Sequence, residues 1–329
     1  MNRFALVVVG SLLALAAPAL AVPPAQPDDT VPSVIKQSEP PGSAKDAMGM
    51  TPQQVADATA ITKALGRPGQ MLAGDVYRIG IPRSDLHVTL DGVTLAPALA
   101  LGSYAAFKAE PQGTLVVGDI ALLEPEIGPV MKSLQSSGFR ITALHNHLRN
   151  ESPHVMYMHF MKVGQASEMA TELRTALGFS KTPLQAPAMT TASATSAAEP
   201  AFEEAIERGL GVKGKMNGPV LSVGIPRAEA VTVQGMAVPP TMGVNVAMNF
   251  QDAGSGRVAT TGDFVLIALE VDTVERTLRN RGFDVTALHQ HMLGDSPTLY
   301  YMHFWTVGAP ETIAAGLKDA LSHVNVKTS

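Results

Sequence analysis

Six histidines in two identical patterns are the residues of this sequence best suited to chemistry. The chain has nine histidines, and six of them form the spacing His-x-His-x11-His twice: His145, His147 and His159, then His289, His291 and His303. Imidazole nitrogens bind zinc, copper, iron and nickel. Three imidazoles are a common ligand set for zinc, with water or substrate in the fourth position. The pattern therefore predicts a divalent transition metal site, with zinc as the first choice and copper as the alternative.

A β-hairpin would bring the three histidines of one pattern together. Side chains two residues apart on a strand point to the same face, so His145 and His147 should project together. A strand that returns after a short turn places His159 on that face if the register is even. The alternative is a buried network of hydrogen-bonded histidines without metal. The sequence also leaves open whether each copy holds its own ion or the two sites pair across a pseudo-twofold axis.

Acidic and phenolic groups near the histidines are the candidate catalytic residues. Glu151 aligns with Asp295 in the turn of each hairpin, as a fourth ligand, a general base or a turn cap. Tyr157 and Tyr301 precede the third histidine by two residues, so each should share its face. A phenol in that position can donate a proton or hold a ligand.

Two further pairs of acids recur in both copies. Asp119 and Asp263 each follow a glycine, which favours a turn, although carboxylates of this kind also orient ligand histidines. Glu126 and Glu270 lie near a helix start, where a negative charge complements the helix dipole. This helix role of the glutamates requires no chemistry.

The histidine patterns belong to a duplication that covers most of the chain. Identical motifs recur at a constant offset of 144 residues: Ile81-Pro82-Arg83, Gly118-Asp119, Gly138-Phe139, Thr142-Ala143-Leu144-His145, Ser152-Pro153 and Tyr157-Met158-His159-Phe160 in the first copy. One constant offset over so many identities indicates an internal repeat.

Each copy combines short strands with amphipathic helices. Residues 53–65 have helical periodicity, and residues 87–95, 103–109 and 114–122 read as strands between glycines and prolines. A closing helix is predicted at 166–177, with its counterpart at 310–321. The fold class is α+β, with two tandem copies of one domain, each a largely antiparallel sheet with packed helices.

The segments between the copies and before them lack this periodicity. Residues 1–21 resemble a signal peptide, with Arg3, an apolar run and a cleavage motif ending at Ala21. A Pro- and Ser-rich leader follows over 22–50, and a linker of similar composition spans 180–200. The repeats then occupy 51–179 and 201–329. The predicted location is the periplasm or the exterior, with no membrane span after signal cleavage.

Composition restricts the partners. The net charge is −5, and no basic cluster stands out, which argues against nucleic-acid binding. The chain has no cysteine, so it has neither disulfides nor thiolate ligands. The expected partner is a small-molecule or peptide ligand.

The repeated Thr-Ala-Leu-His-x-His, Ser-Pro and Tyr-Met-His-Phe motifs resemble the DUF1259 (LppY/LpqO) family of exported lipoproteins. The resemblance covers nearly all of the chain after the leader and implies export and a duplicated architecture. It implies no activity, because the function of the family is not established. A lipoprotein needs a cysteine after its signal, and this chain departs from that requirement.

The leading hypothesis is an exported metal-binding protein, with a metal-dependent hydrolase as its enzymatic form. A three-histidine zinc ion lowers the pKa of bound water to about 7, and Glu151 or Asp295 would handle the proton. No His-Glu-x-x-His or Gly-x-Ser-x-Gly motif supports hydrolysis directly. The rivals are a non-catalytic binding module for a small ligand or metal, and a structural protein with a histidine hydrogen-bond core.

Overall fold

A six-stranded antiparallel sheet forms the centre of each repeat. The computed structural model describes residues 50–185 and 202–327. The first repeat contains α1 (Pro52–Leu65), β1 (Gln70–Leu72), β2 (Val76–Gly80), β3 (Thr89–Leu90), β4 (Val93–Thr94), α2 (Pro97–Ala100), β5 (Tyr104–Glu110), β6 (Gly113–Leu122), α3 (Glu124–Ser136), β7 (Arg140–Asn146), β8 (Met156–Gly164) and α4 (Ala166–Leu177). Its sheet has the strand order β1-β2-β5-β6-β8-β7.

The second repeat has the same architecture. It contains α5 (Glu203–Leu210), β9 (Lys215–Asn217), β10 (Val220–Pro226), β11 (Thr232–Val233), β12 (Met236–Ala237), a 3-10 turn (Pro240–Met242), β13 (Asn245–Gly254), β14 (Arg257–Leu266), α6 (Ala268–Asn280), β15 (Asp284–His289), β16 (Asp295–Ser296), β17 (Tyr300–Gly308) and α7 (Pro310–Leu321). The strand order β9-β10-β13-β14-β17-β15 matches that of the first sheet.

This architecture confirms the predicted α+β class and the tandem repeat. The closing helices α4 and α7 have the predicted bounds, whereas the strand predicted over 87–95 is a short hairpin of β3 and β4. The predicted signal peptide, the leader up to residue 49 and the linker from 186 to 200 lie outside the described residues.

Local sequence explains where the helices begin and which face they bury. At the start of α1, the Thr51 side chain accepts from Gln54 N, and the Gln54 side chain accepts from Thr51 N. Such reciprocal capping satisfies amide donors that have no partner within the helix. In α4, Met169, Leu173 and Leu177 recur at helical spacing and are fully buried against the sheet.

The repeated Ile-Pro-Arg motif supplies one buried arginine to each copy. Arg83 is fully buried and donates to Glu126 Oε2 at 2.7 Å and to the carbonyl of Ala121 at 3.0 Å. Arg227 contacts Glu270 in the same way, also at 2.7 Å. The two glutamates predicted to serve the helix dipole are therefore also partners of a buried cation.

The two repeats share their cores. One buried apolar cluster combines Val117 and Met161 of the first repeat with Phe250 and Phe304 of the second. The described residues of both repeats belong to one compact unit. Polar contacts join them as well, since Trp305 Nε1 donates to an Asp91 carboxylate oxygen at 2.8 Å.

The Gly-Asp motifs lie within strands, which corrects the prediction of turns. Gly118 and Asp119 belong to β6, and Gly262 and Asp263 belong to β14. A Cβ added at Gly262 would lie 2.0 Å from the backbone oxygen of Ala247 on the neighbouring strand. The glycine is required because the two strands approach too closely for any side chain there.

Gly262→Ala is expected to lower the free energy of unfolding by about 1–3 kcal/mol, because the central strands of the second sheet must move apart. Chemical denaturation of the full chain measures this loss. Gly80→Ala is the matched control, since a Cβ there meets no described atom within 4 Å. Equal stability of the two variants would contradict the close approach.

Candidate functional site

The edge strands β7 and β15 bring the two histidine patterns together. Thr142 Oγ1 donates to the carbonyl of His291 at 2.6 Å, and Thr286 Oγ1 donates to the carbonyl of His147. Each threonine of the repeated Thr-Ala-Leu-His motif thus holds the histidine loop of the other repeat. Asn146 Nδ2 adds a bond to the carbonyl of Thr286 at 3.0 Å.

The six histidines form three pairs of adjacent rings, each with one ring from either repeat; two pairs are stacked, and the His147–His303 pair is tilted by 31°. The ring centroids are 3.4 Å apart for His145–His289, 4.0 Å for His147–His303 and 3.7 Å for His159–His291. His145 and His289 are equivalent residues of the two repeats. His147 corresponds to His291 and His159 to His303, so the other two pairs are equivalent to each other. The sequence left open whether the histidines of each copy stay separate or pair between the copies. In the structure the histidine rings of the two repeats pair across a pseudo-twofold axis.

The three rings of one repeat also converge. The His145 centroid lies 5.2 Å from that of His147 and 5.0 Å from that of His159. The strand argument holds only in part, because β7 ends at Asn146 and β15 at His289. His147 and His291 therefore lie just beyond their strands, where the threonine bonds to their carbonyls hold the backbone.

Backbone carbonyls orient several of the rings through one nitrogen. His303 Nδ1 lies 3.2 Å from the carbonyl oxygen of Gly262, and the carbonyl of Gly118 serves the His159 ring in the same way. His145 Nδ1 lies 3.0 Å from the carbonyl of Asn146. A carbonyl acceptor fixes the tautomer in which Nε2 carries the free lone pair.

The second ring nitrogen of every histidine in the cluster is buried. All six Nε2 atoms are inaccessible to solvent and have no hydrogen-bond partner among the described residues. Buried polar atoms are almost always paired with protein, water or an ion. The histidines form two groups, and within each group the possible ligand atoms lie within 4.8 Å of one another. One group is His145, His147 and His159, and the other is His145, His289, His291 and His303. His145 belongs to both.

Burial keeps the rings of His145, His147, His159 and His291 neutral. Burial and, after it, the nearby His303 together lower the pKa of His145 to about 4. The pKa values of His147, His159 and His291 fall well below the ordinary value of 6.5 for the same reason, with neighbouring imidazoles adding to the effect. Neutral imidazole is the form that binds a metal ion.

Asp119 and Asp263 lie beside the histidines. Asp119 Oδ2 is 3.6 Å from His147 Nε2, and its Oδ1 is 3.7 Å from His159 Nε2. Asp263 Oδ1 is 2.5 Å from His303 Nδ1. The two carboxylates that the sequence assigned first to turns therefore contact ring nitrogens.

Tyr157 and Tyr301 stack on His147 and His291, the second histidine of each pattern, instead of presenting their hydroxyl groups to them. The Tyr157 ring lies 3.4 Å from that of His147 at an interplanar angle of 4°, and Tyr301 lies 3.3 Å from His291 at 12°. The Tyr157 hydroxyl donates to the carbonyl of Ala100. The Tyr301 hydroxyl is buried without a hydrogen-bond partner among the described residues. The catalytic role predicted for the two tyrosines stays a prediction.

Glu151 and Asp295 have the contacts of turn caps. Glu151 Oε1 accepts from the backbone N–H of Val155 at 3.1 Å, and Asp295 Oδ2 accepts from that of Leu299 at 2.8 Å. Neither carboxylate belongs to the groups of ligand atoms found in the described part of the chain. Of the three roles that the sequence allowed, these bonds favour the cap.

A cavity of about 480 Å³ opens beside the histidine cluster. His147, His303, Asp119 and Asp263 line it. On the opposite side, the space next to His159 and His291 measures only about 10 Å³. The pseudo-twofold symmetry of the histidines therefore does not extend to their surroundings. Nothing in the sequence patterns indicated this difference.

Comparison with known proteins identifies the family. The family described as Domain of Unknown Function (DUF1259) matches residues 59–178 and 204–323, one region in each repeat. The chain belongs to the DUF1259 family. Both histidine patterns of this DUF1259 chain fall inside the matched regions, as the motif resemblance predicted. No curated protein matches the DUF1259 chain.

Solved structures resemble this DUF1259 chain only distantly. The trimeric bacterial microcompartment shell protein PduB is 11% identical, with 76% of this chain and 87% of that chain covered and a TM-score of 0.21. EtuB from Clostridium kluyveri is 10% identical, with 77% and 90% covered and a TM-score of 0.18. At these TM-scores no property of either protein is assigned to the chain. Within the described residues, no helix is long and apolar enough to cross a membrane.

Proposed function

We propose that this protein binds a divalent transition metal through the six histidines that its two repeats bring together. The observation that carries the proposal is the burial of all six Nε2 atoms without a hydrogen-bond partner among the described residues. Zinc is the first choice and copper the alternative, because neutral imidazole suits both.

The arrangement of the rings favours an ion over a histidine hydrogen-bond network. In such a network one ring nitrogen donates to the next, whereas here two of the three ring pairs are stacked, and all six Nε2 atoms make no hydrogen bond to described residues. An unpaired buried polar group costs about 1–3 kcal/mol. Six of them in one cluster would be strongly destabilising without an ion or water.

The proposal includes export. Residues 1–21 have the composition of a signal peptide, and the chain has no cysteine for a lipid anchor. The location would be the periplasm or the exterior. Cell fractionation that recovers the protein from the cytoplasm with residues 1–21 still attached would contradict this.

The cavity supports the hydrolase form of the proposal. A bound zinc ion would supply water of lowered pKa. Asp119 and Asp263, which line the cavity beside His147 and His303, are better placed to hold a proton than Glu151 and Asp295. The rival, a binding module without turnover, uses the same cavity. A screen of ester and phosphoester substrates with the zinc-loaded protein separates the two.

Elemental analysis of the purified full-length protein tests metal binding. Stoichiometric metal is expected in the wild type, and His147→Ala combined with His291→Ala should remove most of it, because each residue belongs to one group of ligand atoms. His87→Ala combined with His323→Ala is the matched control, since both side chains are exposed outside the cluster. Absence of metal from the wild type after reconstitution with zinc and with copper would overturn the proposal.

A further inference from the structure

The cavity beside His147 and His303 contains one cationic side chain in addition to the carboxylates of Asp119 and Asp263. Arg78 lines its wall. The guanidinium lies 3.6 Å from the centroid of the Tyr104 ring and donates to the carbonyl of Thr241 at 2.7 Å. No described carboxylate lies within ion-pair distance of Arg78. The wall therefore carries a cation that the protein holds in place without a direct ion pair, in a cavity that the carboxylates of Asp119 and Asp263 also line.

The two repeats differ at the positions that create this feature. Tyr104 pairs with Asp119 across the first sheet, and Ala247 pairs with Asp263 at the equivalent place in the second. Two residues further along the same strands, Ala106 faces Arg78. At the equivalent place in the second repeat, Asn249 faces Ser222. The copies share their histidines but differ in the cation and in the size of the residue next to the aspartate.

These differences give the cavity its shape and its polarity. Ala247 lines the open side, whereas the larger Tyr104 lines the closed space beside His159 and His291 as well. The remaining wall includes Pro82, Pro97 and Pro219, which offer apolar surface and no side-chain donors. A volume of about 480 Å³ falls within the usual range of roughly 300–1,000 Å³ for small-molecule sites.

We propose that this cavity binds a small organic carboxylate with an apolar body, its carboxylate held between Arg78 and the histidine-bound metal. The inference rests on the proposed metal site, because the second anchor of the carboxylate is the ion. Arginine recognises carboxylates with charge-assisted hydrogen bonds, which are about twice as strong as neutral ones. The prolines and Leu99 would contact the apolar part of the ligand. The opposite side of the cluster, with about 10 Å³ of space, has no room for a ligand.

Calorimetric titration of the zinc-loaded full-length protein with 2-naphthoate and 2-naphthamide tests the proposal. The two probes have nearly the same shape and differ in charge. Wild type is expected to bind the carboxylate at least about tenfold more tightly than the amide, as a charge-assisted bond requires. Arg78→Gln should abolish this preference, and Ala247→Tyr, which copies the residue of the first repeat, should abolish binding of both probes.

The control variant is Arg276→Gln, whose side chain is exposed on α6 and does not line the cavity. It should keep the full preference for the carboxylate. Equal affinity for the two probes, an undiminished preference in Arg78→Gln, or no binding of 2-naphthoate by the wild type would each overturn the proposal. The metal content of every sample is measured in parallel. Retained metal without carboxylate binding refutes this inference alone, whereas absence of metal refutes the proposed function.

Discussion

His145→Ala is expected to weaken metal binding more than replacement of any other single histidine in the cluster. His145 belongs to both groups of ligand atoms, whereas each of the other five belongs to one. Loss of a residue that merely orients a ligand costs about 10–100-fold in metal affinity. Loss of a shared ligand should therefore exceed about 100-fold. Competition with a chromophoric chelator gives the affinities of wild type and variant.

The metal affinity of His145→Ala is compared with that of His147→Ala, because the second variant removes a ligand from one group only. His323→Ala, at an exposed position, should leave the affinity unchanged. Circular dichroism of each metal-free variant shows whether a loss of affinity comes with a loss of fold. If His145→Ala weakens binding no more than His147→Ala, His145 is not shared between the two groups.

The sequence predicts the parts of the site that depend on local geometry. Repeated spacing places three histidines on one hairpin, and strand alternation explains why His145 and His159 share a face. The same reasoning fails at His147, because β7 ends at Asn146 and a threonine of the other repeat holds the loop. That contact joins residues far apart in the chain, so no local pattern reveals it.

Non-local packing also decides the roles that the sequence misassigned or missed. Gly118-Asp119 resembles a turn motif, but close approach of neighbouring strands requires the glycine within β6. The asymmetric cavity depends on a few substitutions between the copies, among them Tyr104 against Ala247. The effect of these substitutions on the cavity depends on how the two sheets pack against each other, which the sequence does not show. The Ile-Pro-Arg motif of Arg83 recurs in both copies, so the sequence marks this arginine. The sequence does not show that its partner is the buried Glu126, which lies 43 residues away.

Arg83→Ala is expected to lower the free energy of unfolding by about 3–5 kcal/mol, because it leaves the buried carboxylate of Glu126 without its cation. Arg83 also donates to Asp85 at 2.9 Å and to the carbonyl of Ala121. All of these bonds are lost at once. Urea denaturation of the full chain measures the change. Arg276→Ala, which removes an exposed pair with Asp272, should cost at most about 1 kcal/mol.

The pH dependence of stability provides an independent measure of the same pair. Burial raises the pKa of Glu126, but the N–H groups of Lys181 and Leu123 and the Arg83 guanidinium more than offset this, so the pKa lies below its ordinary 4.5. A carboxyl group whose pKa is lower in the folded than in the unfolded chain stabilises the fold above the unfolded pKa. That contribution is lost as the pH falls through the folded pKa. Glu126→Gln should therefore flatten the stability profile of the wild type below about pH 4.5. A loss of less than about 1 kcal/mol in Arg83→Ala, together with an unchanged acid profile in Glu126→Gln, would show that the ion pair does not stabilise this fold.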